Sequence, residues 1–170
     1  MSRRRTRPDE SGKPGYITTA GYRRLEEEAE RLWNVDRPRM AKAVQVAAAE
    51  GDRSENAEYI YSKKKLGEID RRLRFLGKRL EILEIVQREP RDDGRVYFAS
   101  WVTVEDESGD SKLFRIVGAD ETDAHPVHIS MDSPMARALL GREEGDEVLV
   151  RRPKGDTVFC IVSVEVSEPV

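Results

Sequence analysis

The chain has 170 residues, 37% of them charged and 38% hydrophobic, with a net charge of −3. That is too polar for one large core and too patterned for disorder, so a long exposed helical element beside a compact domain is expected. Near-neutral net charge excludes a generic polyanion binder and leaves only a local basic patch for nucleic acid. The single cysteine, Cys160, excludes an internal disulfide and any zinc site built on several thiolates. His125 and His128 have no cysteine beside them and are not read as metal ligands. No stretch reaches the roughly 20 apolar residues that a membrane span needs. The basic start (Arg3, Arg4, Arg5, Arg7) has no apolar run after it, so it is no secretory signal. A cytoplasmic protein with no membrane partner is expected.

In chain order, residues 1–15 mix Arg, Pro, Gly and Ser without periodicity and read as a disordered basic tail. Thr18 or Thr19 then caps a helix, with Glu26, Glu27 and Glu28 early in it, where the helix dipole favours acids. Tyr22, Leu25, Ala29 and Leu32 recur at helical spacing; Pro38 predicts a kink or break; Met40, Val44 and Ala47 resume the apolar face, and Gly51 ends it. Leu66, Ile69, Leu73, Leu76, Leu80 and Leu83 follow one another at alternating steps of three and four, a heptad seam. Folding this helix back on the first gives an antiparallel coiled-coil hairpin over residues 16–89, with arms on the order of 45 Å at 1.5 Å rise per residue.

Pro90, Asp92, Asp93 and Gly94 mark a linker. Beyond it, residues 90–170 change to short β-type runs at Val96–Val104, Lys112–Val117, Val127–Ser130, Glu147–Val150 and Thr157–Val166. One short helix lies between them, capped by Ser133, opened by Pro134 and closed at Gly141. The class is therefore α+β: a helical hairpin followed by a small domain of mostly antiparallel strands with one helix.

The segment joining the two helices reads Gly51-Asp52-Arg53-Ser54-Glu55-Asn56-Ala57-Glu58-Tyr59. Asp52 and Glu55 have the spacing of a capping box, and as two carboxylates they also suit a hard cation such as Mg²⁺. Both readings stay open on the residues alone, since a carboxylate has more than one lone-pair direction. Two carboxylates hold Mg²⁺ only weakly unless another molecule completes the shell. On the second helix, Lys63, Lys64, Arg71, Arg74 and Lys78 fall in one arc of about 100° on a helical wheel, with Lys65, Arg72 and Arg79 on the opposite flank of the seam. The arc reads either as a solvated flank covering the seam or as a phosphate-binding stripe. Tyr59 and Tyr61 could stack on bases, although packing near the tip is the simpler expectation.

Gly51–Tyr59 resembles the tip signature of the Gre transcript cleavage factors. Thr19-Ala20-Gly21-Tyr22-Arg23-Arg24-Leu25 is similar to the opening helix of that family. Ser130–Leu140 and the later Glu144-Gly145-Asp146 are similar to its C-terminal signature. The resemblance covers residues 16–166, and Leu32-Trp33, Arg37-Pro38, Arg53 and Ile69–Arg74 look like the B subtype.

The resemblance implies a C-terminal domain like FKBP-type prolyl isomerases that binds RNA polymerase, and a monomer whose hairpin enters the polymerase secondary channel. It implies that the chain is not itself an enzyme but an activator of the polymerase's own cleavage of the RNA 3′ end in backtracked complexes. It makes Asp52 and Glu55 the acids that share Mg²⁺ with the polymerase, and Lys63, Lys64, Arg71 and Arg74 the contacts to the extruded RNA. The competing readings are a paralogue that occupies the channel and inhibits without cleavage, a prolyl isomerase, and a plain RNA-binding coiled coil.

Overall fold

The computed structural model describes residues 15–50, 56–87, 91–153 and 155–169. The tail at 1–14 and the tip segment at 51–55, with Gly51, Asp52, Arg53 and Glu55, lie outside the described residues. The chain divides into two compact units: Tyr22–Leu83, and a second formed by Gly15–Gly21 together with the chain from Glu84 onward.

The first unit holds α1 (Thr19–Arg31) from Tyr22 onward, α2 (Arg37–Ala49) and α3 (Ala57–Ile82). Thr18 caps α1 as the sequence predicts, its hydroxyl oxygen accepting from the Gly21 N–H at 3.0 Å. The acids Glu26–Glu28 begin too late to meet the dipole: the first turn of α1 carries no acid. Glu28 instead binds across the hairpin, where Arg72 donates from Nε and Nη2 to its two oxygens at 2.7 and 2.8 Å.

Pro38 does not break the helix. A π-helical turn at Leu32–Asp36 precedes it, and Arg37 N–H donates to the Leu32 carbonyl five residues back. Pro38 then sits in the first turn of α2, where its missing N–H costs least. The wider π turn makes room for the ring without ending the rod.

Three contacts set the direction of the hairpin: the Tyr22 hydroxyl donates to the Leu80 carbonyl at 3.3 Å, Glu28 meets Arg72, and Arg37 donates to Asp70 at 2.8 Å. Positions rise on one arm as they fall on the other, so the arms are antiparallel. Of the predicted seam, Leu76 and Leu83 are buried, while Leu66, Ile69, Leu73 and Leu80 are half-buried. Two helices alone cannot enclose an entire leucine stripe. Leu83 corrects the expected helix end: at φ −76°, ψ 131° it has left α3 and opens strand β2 (Leu83–Ile85).

In the second unit, β1 (Gly15–Ile17) pairs with β2 (Leu83–Ile85), and Val86 N–H donates to the Ile17 carbonyl at 2.9 Å. A five-stranded sheet has the order β5-β4-β3-β7-β6, with β3 (Trp101–Asp106), β4 (Ser111–Val117), β5 (His128–Ser130), β6 (Glu147–Val150) and β7 (Thr157–Glu165). All its pairings are antiparallel except β4 with β5.

Strand β3 starts later than the predicted Val96. Ala99 takes a left-handed φ of 71°, Tyr97 N–H donates to the buried Ser100 hydroxyl and Ser100 N–H to the Tyr97 carbonyl, so Tyr97–Ser100 form a turn. Helix α4 (Pro134–Leu139) follows the predicted signals, with the Ser133 hydroxyl accepting from Ala136 N–H at 3.2 Å and Gly141 at φ +79°. Its Ala136 and Leu139 pack on one sheet face with Val102, Val104, Ile116, Val148, Val150, Phe159, Ile161 and Val164, a continuous core.

One carboxylate organises the start of this unit. Glu121, 3% exposed, accepts from the backbone N–H groups of Thr18 and Gly118 at 3.0 Å each and from the Thr18 hydroxyl. Gly21 is required beside it, because a Cβ there would lie 2.1 Å from a Glu121 carboxylate oxygen. The side chain that caps α1 is thus itself held by Glu121.

Candidate nucleic-acid interface

The end of the hairpin next to the tip is built by Asn56. Its Oδ1 accepts from the N–H groups of Glu58 and Tyr59, both at 3.1 Å, which caps α3. Its Nδ2 donates to the Ala47 carbonyl at 2.9 Å, which also accepts from the Glu50 N–H at the end of α2. One amide therefore joins both helix ends that bracket 51–55. The capping-box pattern of Asp52 and Glu55 lies outside the described residues, and the residue that caps α3 is Asn56. The missed signal was present, since Asn caps as well as Asp and stands directly before the first helical residue.

Past Asn56, helix α3 presents two differently treated flanks. On one, cations are matched: Arg72 with Glu28 and Lys65 with Glu68 at 3.0 Å; Asp70, on the other side of the seam, is taken by Arg37 of α2. Lys65 is raised above the ordinary lysine range, chiefly by its hydrogen bond to Glu68, whose carboxyl is correspondingly lowered. Arg79 is almost wholly buried. On the other flank, Lys63, Lys64, Arg71, Arg74 and Lys78 are all exposed, and none makes an ion pair with a described residue. Lys63 lies 5.6 Å from the centre of the Tyr59 ring and covers its face.

Glu68 feels Lys64 and Arg71, yet no member of the row is ion-paired with a described acid, and such a row of exposed cations gains from an anion laid along it. Side chains spaced by helical turns suit a series of phosphates. Tyr59 is half-buried, as expected for packing near the tip, whereas Tyr61 is 59% exposed, contrary to that expectation.

Among the described residues, no group of three or more His, Cys, Asp or Glu side chains is placed to hold a metal ion. His125 and His128 face each other with ring centres 5.5 Å apart, His128 also touching the Trp101 ring and, through Nδ1, the Glu121 carbonyl oxygen. Cys160 is a half-buried residue of β7. No described helix is long and apolar enough to cross a membrane.

An antiparallel hairpin with one exposed basic flank, joined in sequence to a five-stranded mixed sheet, defines an α+β protein of two parts. Two family models divide the chain at the same place: the N-terminal model of a transcription elongation factor matches residues 15–85, and the C-terminal GreA/GreB transcription elongation factor model matches residues 91–166. The transcription elongation factor GreB of Yersinia pestis is 52% identical over 152 residues, 89% of each chain. That of Pseudomonas aeruginosa is 53% identical over 161 residues, 95% of this chain and 96% of the relative. The crystal structure of GreA factor homolog 1 of Thermus thermophilus shares 28% identity, covering 90% of this chain and 99% of that one, at a TM-score of 0.41. The chain belongs to the GreA/GreB family of transcription elongation factors, and the resemblance to the B subtype agrees with relatives that carry the GreB name.

Proposed function

We propose that this protein binds RNA polymerase, inserts its helical hairpin into the secondary channel and stimulates the polymerase's own endonucleolytic cleavage of the RNA 3′ end in backtracked complexes. The single observation that carries the reading is the unpaired basic arc of α3, Lys63, Lys64, Arg71, Arg74 and Lys78, beside a flank whose cations are matched or buried. In this reading Lys63 and Lys64 hold phosphates of the extruded strand nearest the tip, and Arg71 and Arg74 hold those further along.

Asp52 and Glu55 are the acids of the tip. Their carboxylates are hard oxygen donors, the right chemistry for Mg²⁺, and two of them leave most of an octahedral shell to another molecule. Asn56 accepts from the Glu58 and Tyr59 N–H groups, so these two amides of α3 are satisfied without a tip carboxylate. Bound Mg²⁺ would lower the pKa of a coordinated water and neutralise charge on the scissile phosphate. The chain contributes the two carboxylates and the orientation of the strand; the polymerase contributes the rest of the site. The protein is in this sense an activator in trans and not a free-standing nuclease.

Asp52→Asn and Glu55→Gln keep the shape of the side chains and remove the charge. Each is expected to leave melting and polymerase binding near wild type and to lower the cleavage rate of a backtracked complex, at saturating factor, by a factor of about 100 or more, the scale of losing one positioned charged group. Wild-type cleavage by Asp52→Asn would remove Asp52 from the chemistry. Tight binding that slows the polymerase without releasing a 3′ fragment would replace the proposal with a channel-occupying inhibitor.

A further inference from the structure

Tyr61 stands apart from the other residues of α3 near the tip. It is 59% exposed, and among the described residues no ring or cation lies over its face, although the Lys65 ammonium interacts with it, whereas Tyr59 two residues earlier is half-buried under Lys63. On the helix, Tyr61 is three residues from Lys64 and four from Lys65, the spacing at which side chains are neighbours, with about 5–6 Å between Cβ atoms. Lys65 is occupied by Glu68, and Lys64 is not paired. An exposed aromatic ring therefore lies one helical turn from an ammonium that makes no ion pair with a described residue. A Tyr ring offers a flat π face to a base while its hydroxyl stays hydrated, and its two side-chain torsions lose little entropy when a ligand lands on it. Ring plus cation is the combination by which proteins hold single strands without reading sequence.

We propose that Tyr61 is a stacking platform for an unpaired base of the extruded RNA, with Lys64 holding the phosphate of the same nucleotide. The inference rests on the reading that α3 faces backtracked RNA, and it makes Tyr61 a binding residue whose contribution does not depend on charge. Stacking is insensitive to salt, whereas each phosphate contact adds roughly one unit to the salt slope.

The test measures the affinity of the full-length protein for backtracked elongation complexes over a salt series, for wild type, Tyr61→Phe, Tyr61→Ala and Lys64→Ala. Two RNAs are compared, one with normal nucleotides and one with abasic residues in the extruded segment. Tyr61→Ala is expected to weaken binding to normal RNA by on the order of tenfold at an unchanged salt slope, and Tyr61→Phe to bind within about twofold of wild type. Lys64→Ala should weaken binding and lower the slope by about one unit. On abasic RNA, wild type should fall to the level of Tyr61→Ala, and the two changes together should cost no more than either alone.

Three results overturn the platform: wild-type affinity for Tyr61→Ala, an equal loss on abasic RNA, or the same loss with complexes that extrude no RNA, the last of which assigns Tyr61 to a protein surface. A normal Lys64→Ala slope effect beside a silent Tyr61→Ala removes only the stacking inference. Silence of both variants removes the reading of the arc on which it stands.

Discussion

The helical unit and the sheet unit bury their apolar residues in opposite ways. The sheet unit closes its inner face under α4 into one continuous cluster around Phe159 and Ile161. The hairpin leaves Leu66, Ile69, Leu73 and Leu80 half-exposed and adds bonds across its rim, Glu28 to Arg72 and Arg37 to Asp70. A two-helix seam has too little depth to enclose whole side chains, so it holds register with polar cross-links and leaves its outer surface for chemistry. A sheet covered by a helix has depth, and its stability resides in packing. The difference teaches that substitutions in the hairpin read out binding, and substitutions in the sheet read out folding.

The largest expected effect tests that contrast directly. Phe159→Ala should destabilise the sheet unit by about 3–5 kcal/mol, whereas Leu73→Ala, at a half-buried seam position, should cost no more than about 2 kcal/mol. Denaturant titration followed by Trp101 fluorescence in a Trp33→Phe background, and by far-ultraviolet circular dichroism for the helices, separates the two. Equal losses would mean that the two units unfold as one.

Next comes the buried carboxylate. Glu121→Ala strands the Thr18 and Gly118 amides at about 1–3 kcal/mol each, and Glu121→Gln should be milder, because an amide oxygen still accepts. Amide hydrogen exchange at Thr18 and Gly118 should accelerate in the Ala variant and much less in the Gln variant. If exchange there is unchanged, the latch is not what holds the start of α1.

At the other end of the hairpin the analogous task falls to a neutral amide. Asn56→Ala should cost about 1 kcal/mol through the lost cap, together with the bond to Ala47. Asn56→Asp keeps the acceptor for Glu58 and Tyr59 and loses only the donor to Ala47, so it should retain most of the stability. Helicity by circular dichroism with thermal melting distinguishes them; equal melting of Ala and Asp variants would assign the stabilisation to the Ala47 bond.

The smallest effect is a surface one. The backbone N–H of Asp110, then that of Ser108, with Lys112 nearby, hold the Asp106 carboxyl below its ordinary range. A lowered folded-state pKa gives a contribution that is present above the unfolded value of about 3.9 and is lost as pH falls through the folded one. The stability difference between wild type and Asp106→Asn should therefore be constant near neutrality and close at acid pH. A difference that persists at low pH would show that the turn does not need the charge.

Much of this was legible in the sequence because it is local. Heptad spacing gave the hairpin, Ser133-Pro134 and Gly141 gave α4, and the charges of α3 gave its basic arc, each from residues within a few turns of one another. Glu147–Val150 reads as a strand from simple alternation and is one. The tip acids were singled out by motif, and Asp52 and Glu55 lie outside the described residues.

What the tertiary structure decided depends on partners far apart in the chain. Gly15–Ile17 is a strand only because Leu83–Ile85 lies beside it, and Leu83 leaves the heptad helix for the same reason. Glu121 reads as an ordinary surface acid until Thr18, 103 residues away, turns its hydroxyl and amide toward it. The same holds for charge: Lys and Arg are interchangeable on a helical wheel, and only the facing Glu28 makes Arg72 a structural cation while Lys64 stays free. Periodicity tells which side of a helix a residue occupies. What faces that side is set by the rest of the fold, and there the electrostatics of this surface were decided.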